Sequence, residues 1–333
     1  MNQISRREFV TLAAIGTTAA PSVLSRSSAS AALTAGEIVD RIRNNVGVEW
    51  RPETVDTFKA GDPGTVATGI VTTAMATMDV LRQAVKAGAN LVITCEPTFY
   101  ARADTATPPA RRGGGPGNGG RGASGAGARA GGGETTGAQA PSQRSAPSSP
   151  RDRVFAAKHD FIVRNNLVIW RFSDHWRLRR PDPLAQGLTD AFGWSRFRIA
   201  DDPARVSIPA IRLDALVSQI KTKLNARGGI RVVGDPQTRV RRVGVLPGSS
   251  PIQASLKALP DVDVIVAGEV REWESVEYAR DTVTAGGKKG LILLGRILSE
   301  DPGMNVCAQW LRTLVREITT TWIPVGDPYW RPL

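Results

Sequence analysis

Short apolar runs that alternate with stretches of helical periodicity constrain this chain more than any other feature of its sequence. Runs such as 91–94 and 262–267 are rich in β-branched residues, as buried strands are. The stretches 78–87 and 252–259 carry apolar residues three or four positions apart. Because strands joined by helices form βαβ units, the pattern predicts an α/β fold with mostly parallel, mixed sheets flanked by helices.

The same criteria give the individual elements. Helices are predicted over residues 33–44, 78–87, 154–165, 184–192, 213–224, 252–259, 273–284 and 305–318, with Thr34 as the N-cap of the first. Strands are predicted over residues 69–73, 90–94, 167–172, 230–233, 243–246, 262–267, 290–294 and 320–324.

Two segments of this pattern are alike, which predicts two related lobes. Residues 68–96 and 241–269 both run strand, helix, strand and then a glutamate, Glu96 or Glu269. If the segments are true repeats, these glutamates lie at equivalent strand ends, and a site lies in the cleft between the lobes. The alternative is that any two βαβ units share this outline.

The first residues are typical of an export signal. Residues 5–9 (SRREF) form a twin-arginine motif, residues 10–24 are mostly apolar, and Ala29-Ser30-Ala31 is a small-residue cleavage pattern. We therefore expect residues 1–31 to be a twin-arginine signal peptide. The mature protein is then exported, to the periplasm or a similar compartment, and keeps no stable membrane span.

Residues 106–149 are dominated by Gly, Ala, Ser, Pro and Arg. A segment of this composition cannot bury enough apolar surface to offset its chain entropy, so we expect a disordered insertion between a strand and a helix. Loop-closure cost grows slowly with length, and the insertion can therefore interrupt a lobe without destroying it.

The net charge of +12 does not indicate a nucleic-acid partner, because half of it lies in two segments that are not expected to belong to the folded lobes. Residues 1–31 carry three arginines against one glutamate, and residues 101–150 carry six arginines against two acids. The remainder is spread without a long basic run, so no nucleic acid is expected. Two cysteines, Cys95 and Cys307, make no disulfide framework.

Polar side chains follow four of the predicted strands. They are Cys95-Glu96, Ser173-Asp174-His175, Glu269 with Glu272 close behind, and Arg296 with Glu300. Since the carboxyl ends of parallel strands meet at one edge of a sheet, we expect carboxylates, a thiol and an imidazole to converge there. Such donors suit a divalent-metal site or an acid/base site.

Several of these segments resemble the GTP cyclohydrolase I type 2 homologues, the Nif3-like dinuclear-metal-centre hexameric proteins. The matching pieces are VTTAMATMDVLRQAVKAGANLVITCEPTFY, NNLVIWRFSDHW with LAQGLTDAFGW, VDVIVAGEVREWESVEYA, and LLGRILSEDPGM. An exported, twin-arginine branch of that family is more similar still, through its EPTFY and GExREWE pieces. The resemblance covers most of residues 33–325 apart from the insertion.

The resemblance implies two related α/β lobes, toroidal hexamers and two divalent metals per subunit. The first lobe would comprise residues 32–105 and 150–205, and the C-terminal segment of 206–333 would return to this metal-bearing lobe. The family's ligands are a His-His-Pro, a His-x-x-x-Asp and a His-x-x-x-Glu motif. The matching positions are Cys95-Glu96-Pro97, Ser173 with Arg177, and Arg296 with Glu300.

Only Glu300 keeps the family's residue type, so the metal site is expected to be atypical. Arg177 and Arg296 cannot bind a metal, because a guanidinium stays protonated and has no free lone pair. One interpretation is that dinuclear binding is impaired and these arginines form salt bridges with Glu96 and Glu300.

The other interpretation is that neighbouring side chains compensate and hold a metal. Cys95, Glu96, Asp174 or His175, and Glu300 would then form a mixed ligand set tolerated by zinc, iron or manganese. The expectation is therefore zero to two divalent metal ions per chain.

Two functions follow from these alternatives. The first is an exported metal-dependent hydrolase of the GTP cyclohydrolase type 2-like family. The second is a non-catalytic, homo-oligomeric binding or assembly protein whose cleft, with Arg177, Arg296, Glu269 and Glu272, binds a small anion. The metal content of the purified protein discriminates between them.

Overall fold

The computed structural model describes residues 32–101, 104, 150–200 and 202–330. The predicted signal peptide (1–31) and the predicted insertion (106–149) lie outside the described residues, and both stay predictions. The helices are α1 (Ala35–Asn45), α2 (Met78–Lys86), α3 (Pro150–Arg164), α4 (Asp174–Leu178), α5 (Pro183–Ala191), α6 (Leu213–Lys223), α7 (Ile252–Ala258), α8 (Glu277–Thr284) and α9 (Arg296–Leu314). The strands are β1 (Phe58–Ala60), β2 (Ile70–Thr73), β3 (Leu91–Thr94), β4 (Val168–Arg171), β5 (Arg198–Ile199), β6 (Asp202–Arg212), β7 (Arg231–Val233), β8 (Arg239–Ser249), β9 (Val264–Glu269), β10 (Gly290–Leu293) and β11 (Thr320–Trp322).

The strands form two sheets, which confirms the predicted two-lobe α/β fold. Their orders are β1-β4-β3-β2-β11 and β5-β6-β8-β9-β10-β7. Each sheet contains three neighbouring parallel strands, β4-β3-β2 in one and β10-β9-β8 in the other. Each triplet is flanked by an antiparallel strand, β1 beside β4 and β7 beside β10.

The register agrees with the repeat predicted from the sequence. Thr73 pairs with Thr94 in the first sheet, and Leu246 pairs with Ala267 in the second, which are equivalent positions of segments 68–96 and 241–269. The sheets differ on their other sides. There β11 joins the first sheet parallel to β2, whereas β6 joins the second antiparallel to β8.

Helix α1 begins where the sequence predicts. The Thr34 side chain accepts a hydrogen bond from the Glu37 backbone N–H, and the Glu37 carboxylate accepts one from the Thr34 N–H at 2.8 Å. This reciprocal pair satisfies two backbone donors that the first turn of a helix leaves free. The helix then buries Ile38 and Ile42 in the core of the first lobe.

Helix α9 begins nine residues before the predicted helix of 305–318, which corrects that boundary. Pro302 lies inside the helix, where proline normally costs a backbone hydrogen bond. Close packing against α5 accounts for the exception. A Cβ on Gly187 would lie 2.3 Å from the Pro302 carbonyl oxygen, and one on Gly303 would lie 2.4 Å from Leu184 Cδ2. Tertiary packing therefore overrides the local signal.

Three strands and one helix are absent from the sequence prediction. Strands β1 and β5 and helix α4 are too short to show periodicity. Strand β6 contains Pro203 and Pro209, and its register with β8 shifts between Ser207 and Ile211, as expected for proline in a strand. None of the helices in the described part is long and apolar enough to cross a membrane.

Candidate functional site

A thiol and two carboxylates come together beside the carboxyl end of β3, one of the carboxylates supplied by α9, which follows β10 of the second sheet. Cys95 and Glu96 directly follow β3, and Glu300 lies in the second turn of α9. All three residues are buried, and one potential ligand atom from each lies within 4.8 Å of the others. A buried group of this kind could hold a metal ion.

A single nitrogen of Arg177 contacts all three of these side chains. Arg177 Nη2 donates to Glu96 Oε1 at 2.8 Å and to Glu300 Oε1 at 2.7 Å. The same nitrogen lies 3.4 Å from Cys95 Sγ. The guanidinium therefore occupies the point on which the three potential ligands converge.

Arg296 supplies a second positive charge from the first turn of α9. Its Nη2 donates to Glu96 Oε1 at 2.8 Å, and its Nε lies 3.6 Å from Glu300 Oε1. The Arg177 side chain is 28% exposed and that of Arg296 is 38% exposed. Two guanidinium groups thus pair with two carboxylates, as the first interpretation of the sequence expected.

Burial controls the protonation of the central groups. It raises the pKa of the Cys95 thiol to about 12, so the sulfur is protonated at neutral pH. It also raises the pKa of Glu300 to about 7, although Arg177 opposes that shift. Glu300 Oε2 is buried and has no hydrogen-bond partner among the described residues, which makes the charged form of Glu300 still more costly.

The second lobe closes over this group through a glycine. Gly248, in β8, has a φ of 76°, and a Cβ there would lie 2.4 Å from Glu300 Oε1 and 2.8 Å from Arg177 Nη1. Its N–H donates to Ser299 Oγ at 2.9 Å. Only glycine tolerates both this backbone conformation and this close approach.

The structure directs Asp174 and His175 away from the thiol and carboxylates, which corrects their prediction as metal ligands. Asp174 Oδ2 accepts from Thr54 Oγ1 at 2.9 Å and from the Val55 N–H at 3.1 Å. His175 Nε2 accepts from the Arg51 N–H at 2.9 Å, so Nδ1 carries the ring proton and donates to a carboxylate at 2.7 Å. Both nitrogens of His175 are therefore occupied.

That carboxylate belongs to Asp56, a buried residue that the sequence analysis missed. Asp56 accepts hydrogen bonds from the backbone N–H groups of Ser173, Asp174 and His175 at 2.6, 2.9 and 2.9 Å. It thereby caps α4, the helix that carries Arg177. No sequence pattern could identify it, because Asp56 lies 117 to 119 positions before these partners.

Glu269 and Glu272 lie outside the ionic group. Glu269 ends β9 and is exposed, and Glu272 pairs with Arg231 at 2.6 Å on the surface. Glu269 and Arg231 line a cleft of about 550 Å³, and Arg296 reaches its wall. Arg296 and Glu269 thus both line the cleft, whereas Arg177 is not among its lining residues.

The residues present do not fit a metal ion while Arg177 keeps this position. The donor atoms of Cys95, Glu96 and Glu300 are of suitable type, but a fixed cation already contacts each of them. A metal at normal bond lengths of about 2.0 to 2.3 Å would overlap Arg177 Nη2. Any binding or reaction at this site therefore takes place with the Arg177 guanidinium between the three donor atoms.

Comparisons with known proteins agree with this two-lobe architecture. A search of curated protein sequences finds no match. Staphylococcus aureus protein SA1388 superimposes with a TM-score of 0.59 at 14% identity, over 89% of this chain and 98% of that one. A Bacillus cereus protein related to NIF3 gives 0.61 at 11% identity, over 89% and 98%. Protein ybgI, of unknown function, gives 0.57 at 18% identity, over 89% and 100%.

These similarities show a shared fold, and a family model adds sequence evidence. The model for Duf34/NIF3 (NGG1p interacting factor 3) matches residues 204–323, which include β7 to β11, the whole of α9 and Glu300. The matched segment therefore resembles the Duf34/NIF3 family in sequence, and the solved structures show that the chain shares their fold.

Proposed function

We propose that this chain is a metal-independent, non-catalytic NIF3-like binding or assembly protein whose cleft holds a small anion. The observation that carries the proposal is the position of Arg177 Nη2, within 2.7 to 3.4 Å of all three potential ligand atoms. Because a guanidinium stays protonated in proteins, Arg177 balances the buried carboxylates without an ion from solvent.

Arg296 provides the contact for the ligand. Its Nη2 is committed to Glu96, but no hydrogen bond of its Nη1 occurs within the described residues. The side chain is 38% exposed and lines the 550 Å³ cleft together with Arg231. Guanidinium donors suit carboxylate or phosphate oxygens. Glu269 and Asp327 line the same cleft, and their negative charge disfavours a polyanion.

Two measurements test this function. Elemental analysis of protein prepared without a chelating tag should find well under one divalent metal per chain. Inorganic phosphate or citrate should raise the melting temperature of the wild type, because a ligand that binds only the folded state stabilises it. Arg296→Met should abolish that rise, whereas Arg280→Met, an exposed arginine paired with Glu277, should retain it. Equal rises in both variants would contradict the proposal.

A metal-dependent hydrolase of the GTP cyclohydrolase type 2-like class is the second candidate. The buried Cys95, Glu96 and Glu300 favour it, since their donor atoms suit zinc, iron or manganese. This function requires Arg177 to leave its position. A preparation that already carries one or two metals per chain would support the hydrolase and reject the metal-independent function.

We also propose that the protein is exported and forms a homo-oligomer. The twin-arginine motif supports export, and the resemblance to toroidal proteins supports a hexamer. A reporter fused after residue 31 should reach the periplasm only when Arg6 and Arg7 are intact. Light scattering should give a mass above that of the monomer. A cytoplasmic reporter would exclude export, and a monomeric mass would exclude assembly.

A further inference from the structure

We infer that Cys95, Glu96 and Glu300 form a latent metal site that Arg177 keeps closed, and that Asp56 and His175 position Arg177 there. This inference rests on the proposed metal-independent function, because it assumes that the wild type holds no metal. The inference explains why the wild type would hold no metal, and it assigns a positioning role to Asp56 and His175, two buried residues outside the site.

The geometry leaves a metal-sized space when Arg177 is removed. The three donor atoms lie within 4.8 Å of one another, and each contacts the same nitrogen at 2.7 to 3.4 Å. Zinc and cobalt bonds to oxygen and sulfur are about 2.0 to 2.3 Å long. The donors therefore need to move inward by roughly 1 Å to bind one ion.

Arg177 supplies one of the two positive charges that face Glu96 and Glu300. Replacing it by a neutral residue removes that charge from the point where the three donors converge. A divalent ion bound there would restore positive charge at the same place, and the Cys95 thiol would release its proton to solvent as it binds.

A buried anchor holds Arg177 in this position. Helix α4 has only five residues, too few to fix a side chain by its own hydrogen bonds. Asp56 binds the N–H groups at its start, and the Asp56 carboxylate is held in turn by His175 Nδ1. The His175 ring stacks on Trp50 with centroids 3.7 Å apart and planes inclined by 7°.

Both ends of the Arg177 residue are therefore constrained. Its backbone N–H donates to the Ser173 carbonyl at 3.0 Å, and its Nε donates to Ser173 Oγ at 3.3 Å. Asp56 and His175 are fully buried, so solvent does not compete for these bonds. Loosening the anchor should free Arg177 without removing any donor atom of the latent site.

The first experiment compares two arginines by cobalt titration of the purified full chain. Arg177→Met should bind about one Co²⁺ per chain and show thiolate-to-cobalt absorption. Arg296→Met is the matched control: it removes an arginine from the same carboxylates but not from Cys95, and it should bind none. Cys95→Ser in the Arg177→Met background should lose the thiolate absorption. If Arg177→Met is insoluble, Arg177→Gln serves instead.

The second experiment tests the anchor with Asp56→Asn, which weakens the capping of α4. It should gain partial Co²⁺ binding with the same thiolate absorption. Leu216→Ala, which opens a cavity in the core of the second lobe, controls for general loss of stability and should bind none. Destabilisation of Asp56→Asn without cobalt binding would reduce Asp56 to a structural residue and overturn the positioning role.

The outcomes separate this inference from the proposed function. Metal in the wild type as purified would reject both. A metal-free wild type together with a folded Arg177→Met or Arg177→Gln that binds no cobalt would overturn the latent site only. Cobalt binding that persists unchanged in Arg177→Met with Cys95→Ser would place the ion elsewhere and overturn it as well.

Discussion

Glu96 and Glu269 lie just past equivalent strands, β3 and β9, yet their surroundings differ. Glu96 is 5% exposed and accepts hydrogen bonds from Arg177 and Arg296. Glu269 is exposed and has no ion pair within the described residues. The arginines come from α4 and α9, which begin soon after β4 and β10. The repeated strand topology thus sets where a carboxylate lies, and the helices that start beside it decide what it contacts.

Removing the charge of Glu96 should change stability more than removing that of Glu269. Glu96→Gln should lower the free energy of unfolding by about 3 kcal/mol, because removing one partner of a buried ion pair leaves its charge uncompensated. Glu269→Gln, the same change at the equivalent strand end, should stay within about 0.5 kcal/mol of the wild type. Urea unfolding of both variants measures this, and equal losses would show that burial of the ionic group contributes nothing.

The pH dependence of Glu300 is the next effect in size. Burial raises its pKa to about 7 from an ordinary 4.5. Because the pKa is raised in the folded state, the associated stability is fully present below about pH 4.5 and is lost as the pH rises through about 7. The wild type should therefore lose about 2 kcal/mol relative to Glu300→Gln between pH 5 and pH 8.

Unfolding midpoints of the two proteins at several pH values test this. Their difference cancels the groups that they share, since the glutamine side chain of the Glu300→Gln variant cannot titrate. A difference that stays constant from pH 5 to pH 8 would mean that Glu300 is charged throughout and that the arginines outweigh its burial.

Part of this site could be predicted from the sequence, because Cys95 and Glu96 follow a recognisable buried strand. Arg177 was identified only through the family resemblance, and its expected pairing with Glu96 and Glu300 then followed from charge. The role of Asp56 could not be predicted, since it depends on a contact 119 positions away in the chain. The prediction of Asp174 and His175 as ligands was wrong for the same reason. Their side chains form hydrogen bonds with residues 51–56, which are distant in the sequence.

The fold shows the same division between local and distant causes. The parallel strands β2, β3, β4, β9 and β10 were predicted, because each is a nearly continuous buried run. The start of α9 was not predicted, because Pro302 argues locally against a helix, whereas the helix that contains it packs closely against Gly187. Arg296 and Glu300 consequently lie on a helix that the local sequence argues against.

A smaller effect concerns the glycine that the second lobe places over the site. Gly248→Ala should lose about 2 kcal/mol, from its positive φ and from overpacking against Glu300 and Arg177. Gly193→Ala has a similar φ of 78° but nothing within 4 Å of the new Cβ, so it should lose about 1 kcal/mol. Equal losses would show that the ionic group relaxes to admit a methyl group.

The smallest effect concerns the connection that differs most between the lobes. Two residues separate β9 from the helical turn that begins at Glu272, whereas 55 residues separate β3 from α3. Deleting residues 106–149 makes the long connection after β3 more like the short connection after β9. Since the composition of that segment predicts no contribution to a core, and closure cost varies slowly with length, stability should change by less than about 1 kcal/mol. Limited proteolysis of the wild type should cut within the segment and leave two associated fragments, because β3 and β4 pair across it along four residues. A melting temperature that falls steeply on deletion would show that these residues pack against the lobe, and the difference between the two connections would then be structural.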